Sequence, residues 1–316
     1  MGISHQWDCL LAASRFNRAF GSWEWYLASC RIQTSLVPYL VISTLGSDMT
    51  CILPLAIDPR NCVATFPHLE NDYNDILVRG DDPAQAASLL KYAMSRENTC
   101  RRMILSKLKP DSTCAQAAVL LDSSSNIVCH ARDTKLYRYI KLPSTFDDYL
   151  ASRGKLFRRN IRRALRNDGR GGLVIRELCP ADFNPFELPE VFIQLVLDRH
   201  DDKCVFRHTH AQSFAREVLP AVFRKGGMRV FAIFEKERII AIDLYLDAAN
   251  GLVAWNGGFL AEMERWSPGT ALIAFAVRQA IASGLHELDF GEGDEAYKES
   301  WSNSSYLVRE LSFTAT

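Results

Sequence analysis

Hydrophobic residues fall at two spacings along this chain, and the two spacings divide it into helices and strands. Residues 5–31 carry apolar side chains at helical spacing, with Trp7, Trp23 and Trp25 as core aromatics, and predict a helix pair. VPYLVIST and MTCILPLAI, within 37–57, flank a Gly46-Ser47-Asp48 turn and predict paired strands. The polar run His68 to Asp75 then leads to a helix over 82–97. Strands around Ala117–Leu121 and Ile127–His130 complete a first α/β half. Phe157, Ile161, Ala164 and Leu165 mark a helix docked by one face, and ELPEVFIQLVLDRH marks another. From Met228 the period falls to two. MRVFAIFE and RIIAIDLYLDA flank a Lys236-Glu237 turn, and GLVAWNGGFL follows. A helix after Trp266, a short strand at His286–Phe290 and a closing strand at 306–313 end the pattern.

Composition narrows the class. The chain has 316 residues, 48% hydrophobic and 23% charged, which suits a soluble globular protein of one large or two medium domains. Lys+Arg and Asp+Glu both number 37, so net charge gives no reason to expect bulk nucleic-acid or membrane binding. The nine cysteines lie singly, without a C-x-x-C pair, as reduced cytosolic thiols do. The opening MGISHQWDCLLAASRF lacks a long apolar core for a signal peptide, and the longest apolar runs fall short of a membrane span. A cytoplasmic protein is expected.

Candidate chemistry concentrates between Trp266 and Trp301. Ser267 suits an N-cap, Pro268 the first helical position and Gly284 a left-handed C-terminal cap. The free N–H groups at such a helix start suit a phosphate, and Gly269 permits close approach of a pyrophosphate. A well-capped core helix without a ligand would carry the same residues. Asp289 ends a buried strand, where desolvation raises its pKa; an Asp bonded to the adjacent glycine turn is the competing reading. Asp243 alternates with Ile242 and Leu244, which aims it at a cleft.

Two further stretches need weighing. Eight Lys or Arg lie between Arg153 and Arg170, opposed only by Asp168. This suits a solvated helix face, a phosphate-attracting wall or a tRNA dock. In RHDDKCVFRHTH, the types of His200, Cys204, His208 and His210 suit zinc, but their spacing matches no common module.

The order SPG, a helix ending in Gly, then LDFGEGDEAYK and a Trp resembles the Gcn5-related N-acetyltransferase (GNAT) superfamily. Within it the match is to the cellulose-biosynthesis-type branch, related to the Fem-type aminoacyl transferases. The resemblance implies two GNAT-like halves, 1–148 and 149–316, each a mixed, mostly antiparallel sheet flanked by helices. The second half would hold the donor and the chemistry. It assigns Ser267, Pro268, Gly269 and Thr270 to the donor's pyrophosphate. Gly257, in Asn256-Gly257-Gly258, falls to the bulged strand that polarises its carbonyl. Asp289, Glu292, Tyr297 and Lys298 fall at the transfer centre. Asp72 and Tyr73, with Asp75, face the acceptor, as do Asp243 and a loop with His200. The implied reaction is direct attack of a small-molecule amine on acyl-CoA, or on an acyl carrier protein's thioester, without metal and without a covalent enzyme intermediate. An aminoacyl-tRNA-dependent transferase and a non-catalytic binding protein are the alternatives.

Overall fold

A computed structural model describes residues 2–14, 19–67, 69–95, 102–121, 127–166, 169, 172–199 and 204–315. Its elements begin with α1 (Ile3–Ala13), α2 (Trp23–Ile32), β1 (Val37–Leu45), β2 (Asp48–Asp58), β3 (Val63–Thr65) and β4 (Leu77–Val78). Next come α3 (Pro83–Met94), β5 (Arg102–Leu108), α4 (Thr113–Val119), β6 (Ile127–Lys141), α5 (Phe146–Ala151), α6 (Lys155–Leu165), β7 (Leu173–Leu178), α7 (Leu188–Arg199) and α8 (Thr209–Arg224). The chain ends with β8 (Met228–Glu235), β9 (Arg238–Ala248), β10 (Gly251–Phe259), α9 (Pro268–Ala282), β11 (Glu287–Glu292), α10 (Ala296–Trp301) and β12 (Ser304–Ala315). They form two compact units, Met1–Tyr137 with Tyr306–Thr316, and Arg138–Ser305. β6 carries the chain out of the first unit, and β12 returns it there. The division expected at 148/149 did not foresee that return, because strand pairing between distant segments leaves no local mark.

In the first unit the strands run β1-β2-β3-β5-β12-β6, with β4 beside β2. β3 and β5 are parallel, while β1–β2, β2–β3 and β5–β12 are antiparallel. β2 is apolar on both faces. Cys51, Leu53 and Leu55 pack into one cluster with Leu90 and Met94 of α3, and Ile52 and Ala56 into another with Trp7 and Tyr26. Helices thus cover both sides, which is why β2 reads as a continuous apolar run instead of an alternation.

Two local expectations are corrected here. Ala117–Leu121 is not a strand: residues through Val119 belong to α4, whose start is capped by Ser112 accepting from the Ala115 N–H. The alanines of Thr-Cys-Ala-Gln-Ala-Ala favour helix. Asp75, expected to face an acceptor, is 3% exposed and serves the fold. Its carboxylate accepts the N–H groups of Thr113 (2.9 Å) and Cys114 (2.8 Å), orphan donors at the start of α4, and that of the neighbouring Ile76 (2.9 Å). The helix over 83–94 takes its cap from Asp82 instead.

Burial raises the Asp75 pKa to about 6, the three N–H bonds opposing it. A carboxyl whose folded pKa lies above its unfolded value binds more protons when folded. Its stabilising effect is therefore full below about pH 4 and lost as pH rises through 6. Asp75→Asn cannot titrate. Urea unfolding should show the wild-type stability falling relative to the variant across that window, by a few kcal/mol at about 1.4 per pK unit. Parallel profiles would contradict the assignment.

The second unit's strands run β11-β10-β9-β8-β7. All neighbours are antiparallel except β10 and β11, which a parallel pairing obliges the crossover helix α9 to connect. The expected β-β-β-α-β order is therefore present. α9 lies on one face, with Phe275 against Phe231 of β8. α7 lies on the other, with Phe192 stacked on Trp255 of β10. α9 ends as its glycine predicts. Gly284 has φ +70°, its N–H bonds to Ile281 O and that of Leu285 to Ala280 O, a paired closure that satisfies the last carbonyls. No described helix is long and apolar enough to cross a membrane.

Candidate active site

Residues two apart on a strand share a face, and register partners on adjacent strands stand side by side. Asp243 and Tyr245 of β9 are such a pair, and Asp243 stands opposite Phe231 of β8 and Gly257 of β10. Phe231 meets α9, so Asp243, Tyr245 and Gly257 point to the α9 side of the sheet. A register shift between Ala254 and Asn256 bulges β10 at Trp255. The β10–β11 ladder pairs Gly251–Val253 with Glu287–Asp289, and both strands continue past it.

Gly257 makes room for the acid. A Cβ there would lie 2.0 Å from Asp243 Oδ1 and 2.8 Å from the Ile242 carbonyl. The Tyr245 hydroxyl donates to Asp243 Oδ2 at 2.8 Å. Arg199, at the end of α7, donates to Gly257 O at 3.3 Å and sits over the Phe259 ring. Burial pushes the Asp243 pKa up to about 7, against the Tyr245 hydrogen bond and the Arg199 charge, which lower it. The Tyr245 hydroxyl is held well above its ordinary value, first by burial and then by Asp243. Near neutrality this carboxyl is half ionised, in the range a general base needs.

The start of α9 opens on the same face. A short turn, Ala261–Trp266, leads into Ser267, which is left-handed at φ +53°. Its side chain makes no capping bond, contrary to the sequence expectation, because the left-handed backbone aims it away from the first turn. Pro268 occupies the first helical position as expected. The first helical bond at this end runs from the Ala271 N–H to Ser267 O. The N–H groups of Gly269 and Thr270 precede it, as donors of a first helical turn do. A Cβ on Gly269 would meet nothing closer than Phe259 Cε1 at 3.9 Å, so the space above it is open.

The remaining predicted residues are placed as follows. Asp289 is 1% exposed and its Oδ1 accepts the Gly291 N–H at 2.8 Å. Lys298 is buried; its ammonium donates to the Glu292 carbonyl and pairs with Glu295 at 3.2 Å. Gly293, at φ +135°, accommodates both partners. Tyr297 is half-exposed, edge-on to Phe290, and close enough to Tyr245 to raise its pKa. The Gly257 N–H, a candidate for polarising a carbonyl, is bonded to Asn256 Oδ1 at 2.9 Å. The Tyr149 hydroxyl and the Arg153 guanidinium grip the carbonyls at Trp301 and Ser302, which fixes the end of α10.

Asp72 and Tyr73 belong to the first unit. There Tyr73 is buried against Tyr137, shares a 2.5 Å hydroxyl contact with Tyr306, and lies under Lys109. The Asp72 carbonyl accepts from the Tyr137 hydroxyl at 3.0 Å. His200 lies outside the described residues; His208 and His210 stack on each other. Among the described residues no group of three His, Cys, Asp or Glu could hold a metal ion. Sequence reasoning missed Arg199 and Tyr245. The alternation Asp243-Leu-Tyr245 was the signal for the tyrosine, whereas nothing local marks Arg199.

Comparison with known proteins bears on the domain and the fold. Residues 155–299 match the family model described as an acetyltransferase (GNAT) domain. That domain makes the chain an acyltransferase. No curated protein matches the sequence. Among solved structures the chain is similar to FemX, with a TM-score of 0.69 at 12% identity over 99% of this chain and 96% of that one. It is also similar to the C-terminal domain of a putative lysylphosphatidylglycerol synthetase from Agrobacterium fabrum (TM-score 0.64, 11% identity, 98% and 91% covered). A third is L-PGS from Bacillus licheniformis (0.61, 12%, 98% and 90%). At such identities the likeness is one of fold, and it spans nearly the whole chain.

Proposed function

We propose that the chain transfers an acyl group from acyl-CoA to the amine of a small acceptor by direct attack, with Asp243 as the general base. The observation that carries this reading is a carboxyl seated over Gly257 and held by the Tyr245 hydroxyl, on the sheet face where α9 opens; burial raises its pKa toward neutrality. An amine attacks a thioester only after losing its proton, and Asp243 Oδ1, over Gly257, is placed to take it. Tyr245 holds the other oxygen and fixes the carboxyl's orientation. The new C–N bond forms as the C–S bond breaks, and the half-exposed Tyr297 of α10 protonates the departing thiolate. Asp289 and Lys298 act in this scheme as positioning residues that hold the Phe290–Tyr297 loop. Gly269 and Thr270 offer the N–H groups for the donor's pyrophosphate.

A mass-spectrometric screen of amine metabolites, amino sugars and amino acids with acetyl-CoA tests the reaction. The expected result is an acetylated amine, with the intact mass of the enzyme unchanged after incubation with donor alone. An acylated enzyme would overturn direct attack. Gly269→Trp fills the open space above the first turn of α9. It should abolish the thermal stabilisation given by acetyl-CoA, which amounts to about 2.7 kcal/mol at a hundred times the dissociation constant. An unchanged shift would move the donor elsewhere.

A further inference from the structure

The second unit contains a cavity of about 590 Å³ that the acyl-transfer scheme does not use. Thr145, Phe146 and Leu150 of the α5 region form one side, Arg162, Leu165 and Arg166 of α6 another, and Arg278 of α9 closes it. Asp147, an exposed residue, also lines it. Arg278 lies ten residues beyond Pro268, about 15 Å along the helix from its open start. The cavity is therefore distinct from the place where the helix start would hold a donor.

Its charge is unbalanced. Three guanidinium groups face one carboxylate, and none of the three is paired with an acid among the described residues. The Arg278 guanidinium lies 5.9 Å from the centroid of the Phe146 ring, at the outer reach of a cation–π contact. Planar forks around an opening suit a phosphate, which they can bind with paired N–H groups. The two-charge excess matches a phosphomonoester dianion. Asp147 can only accept while ionised, so it suits a hydroxyl or amine on the same ligand, and Phe146, Leu150 and Leu165 provide an apolar wall. The volume is that of a small-molecule site. We propose that this cavity binds a small phosphomonoester bearing hydroxyl groups, of the sugar-phosphate class, separately from the acyl donor.

Calorimetric titration with glucose 6-phosphate, and with glucose as control, tests this. The sugar phosphate should bind, glucose should not, and saturating acetyl-CoA should leave the binding unchanged. Arg166→Glu and Arg278→Glu should each weaken it at least about tenfold. Arg163→Glu makes the same charge change on an exposed position of α6 outside the cavity, and should alter it less than about twofold. All three residues are exposed, so melting curves should show the variants folded. The proposal is overturned by absent binding at millimolar ligand, by displacement with acetyl-CoA, or by equal weakening in Arg163→Glu. Capture of single-stranded RNA that all three changes weaken alike would instead make α6 a diffuse nucleic-acid face. The donor's binding is read independently, so this site can fail while the transfer reaction stands.

Discussion

Asp243→Asn should lower kcat/KM by about 10²–10⁴-fold, the usual worth of a positioned general base. The wild-type rate should rise with pH through about 7, the value to which burial lifts this carboxyl, and the variant's profile should lose that rise. The asparagine is nearly isosteric and can keep a hydrogen bond to Tyr245, so the loss would report proton transfer and not collapse of the strand. Stability should move the other way. The folded carboxyl binds its proton more tightly than the unfolded one, so its stabilising effect is present below about pH 4 and lost as pH rises through 7. Above that pH the wild type bears an ionised buried acid and the variant does not. The variant should therefore melt higher at pH 8, a gain in stability together with a loss of function. A variant of normal activity, or one whose pH profile is unmoved, would remove Asp243 from the chemistry.

Gly258→Ala should be strongly destabilising for the addition of a single methyl group. A Cβ at 258 would fall 2.4 Å from Leu195 C and Val196 N, both backbone atoms of α7, which cannot swing aside as a side chain would. α7 must shift from β10, at a cost near the top of the overpacking range, about 3 kcal/mol. The shift would also move Arg199, the last residue of α7, away from Gly257 O. We expect a lowered urea midpoint and a catalytic loss that persists below the transition, where the protein is still folded. Full activity in the folded variant would show that α7 does not position the site. Gly257→Ala differs in kind, since its methyl would meet the Asp243 carboxylate and act on the base directly.

The sequence disclosed what local chemistry decides. Pro268, Gly284 and the two-residue period of β8–β10 are each set by neighbours in the chain, and the structure places them as read. Arg102–Leu108 escaped notice because its short apolar run is bounded by Arg102 and broken by Ser106-Lys107, and the strand was assigned instead to the alanine run that forms α4. The return of β12 to the first unit depends on pairing with β5, some two hundred residues earlier, which no window of sequence reports. In the site, Asp243 was visible as an acid inside an apolar strand. The surroundings that make it the proposed base were not, because burial, the Tyr245 hydroxyl and the reach of Arg199 are three-dimensional. Asp289 and Lys298 carried the stronger motif, yet their polar atoms are engaged within their own loop.

The most direct measurement is calorimetric titration of acetyl-CoA into the full chain, beside free coenzyme A, an acyl carrier protein and aminoacyl-tRNA. The account predicts one acetyl-CoA per chain, competition by free coenzyme A, and no binding to Gly269→Trp. Absence of binding by any thioester, with aminoacyl-tRNA bound instead, would contradict it.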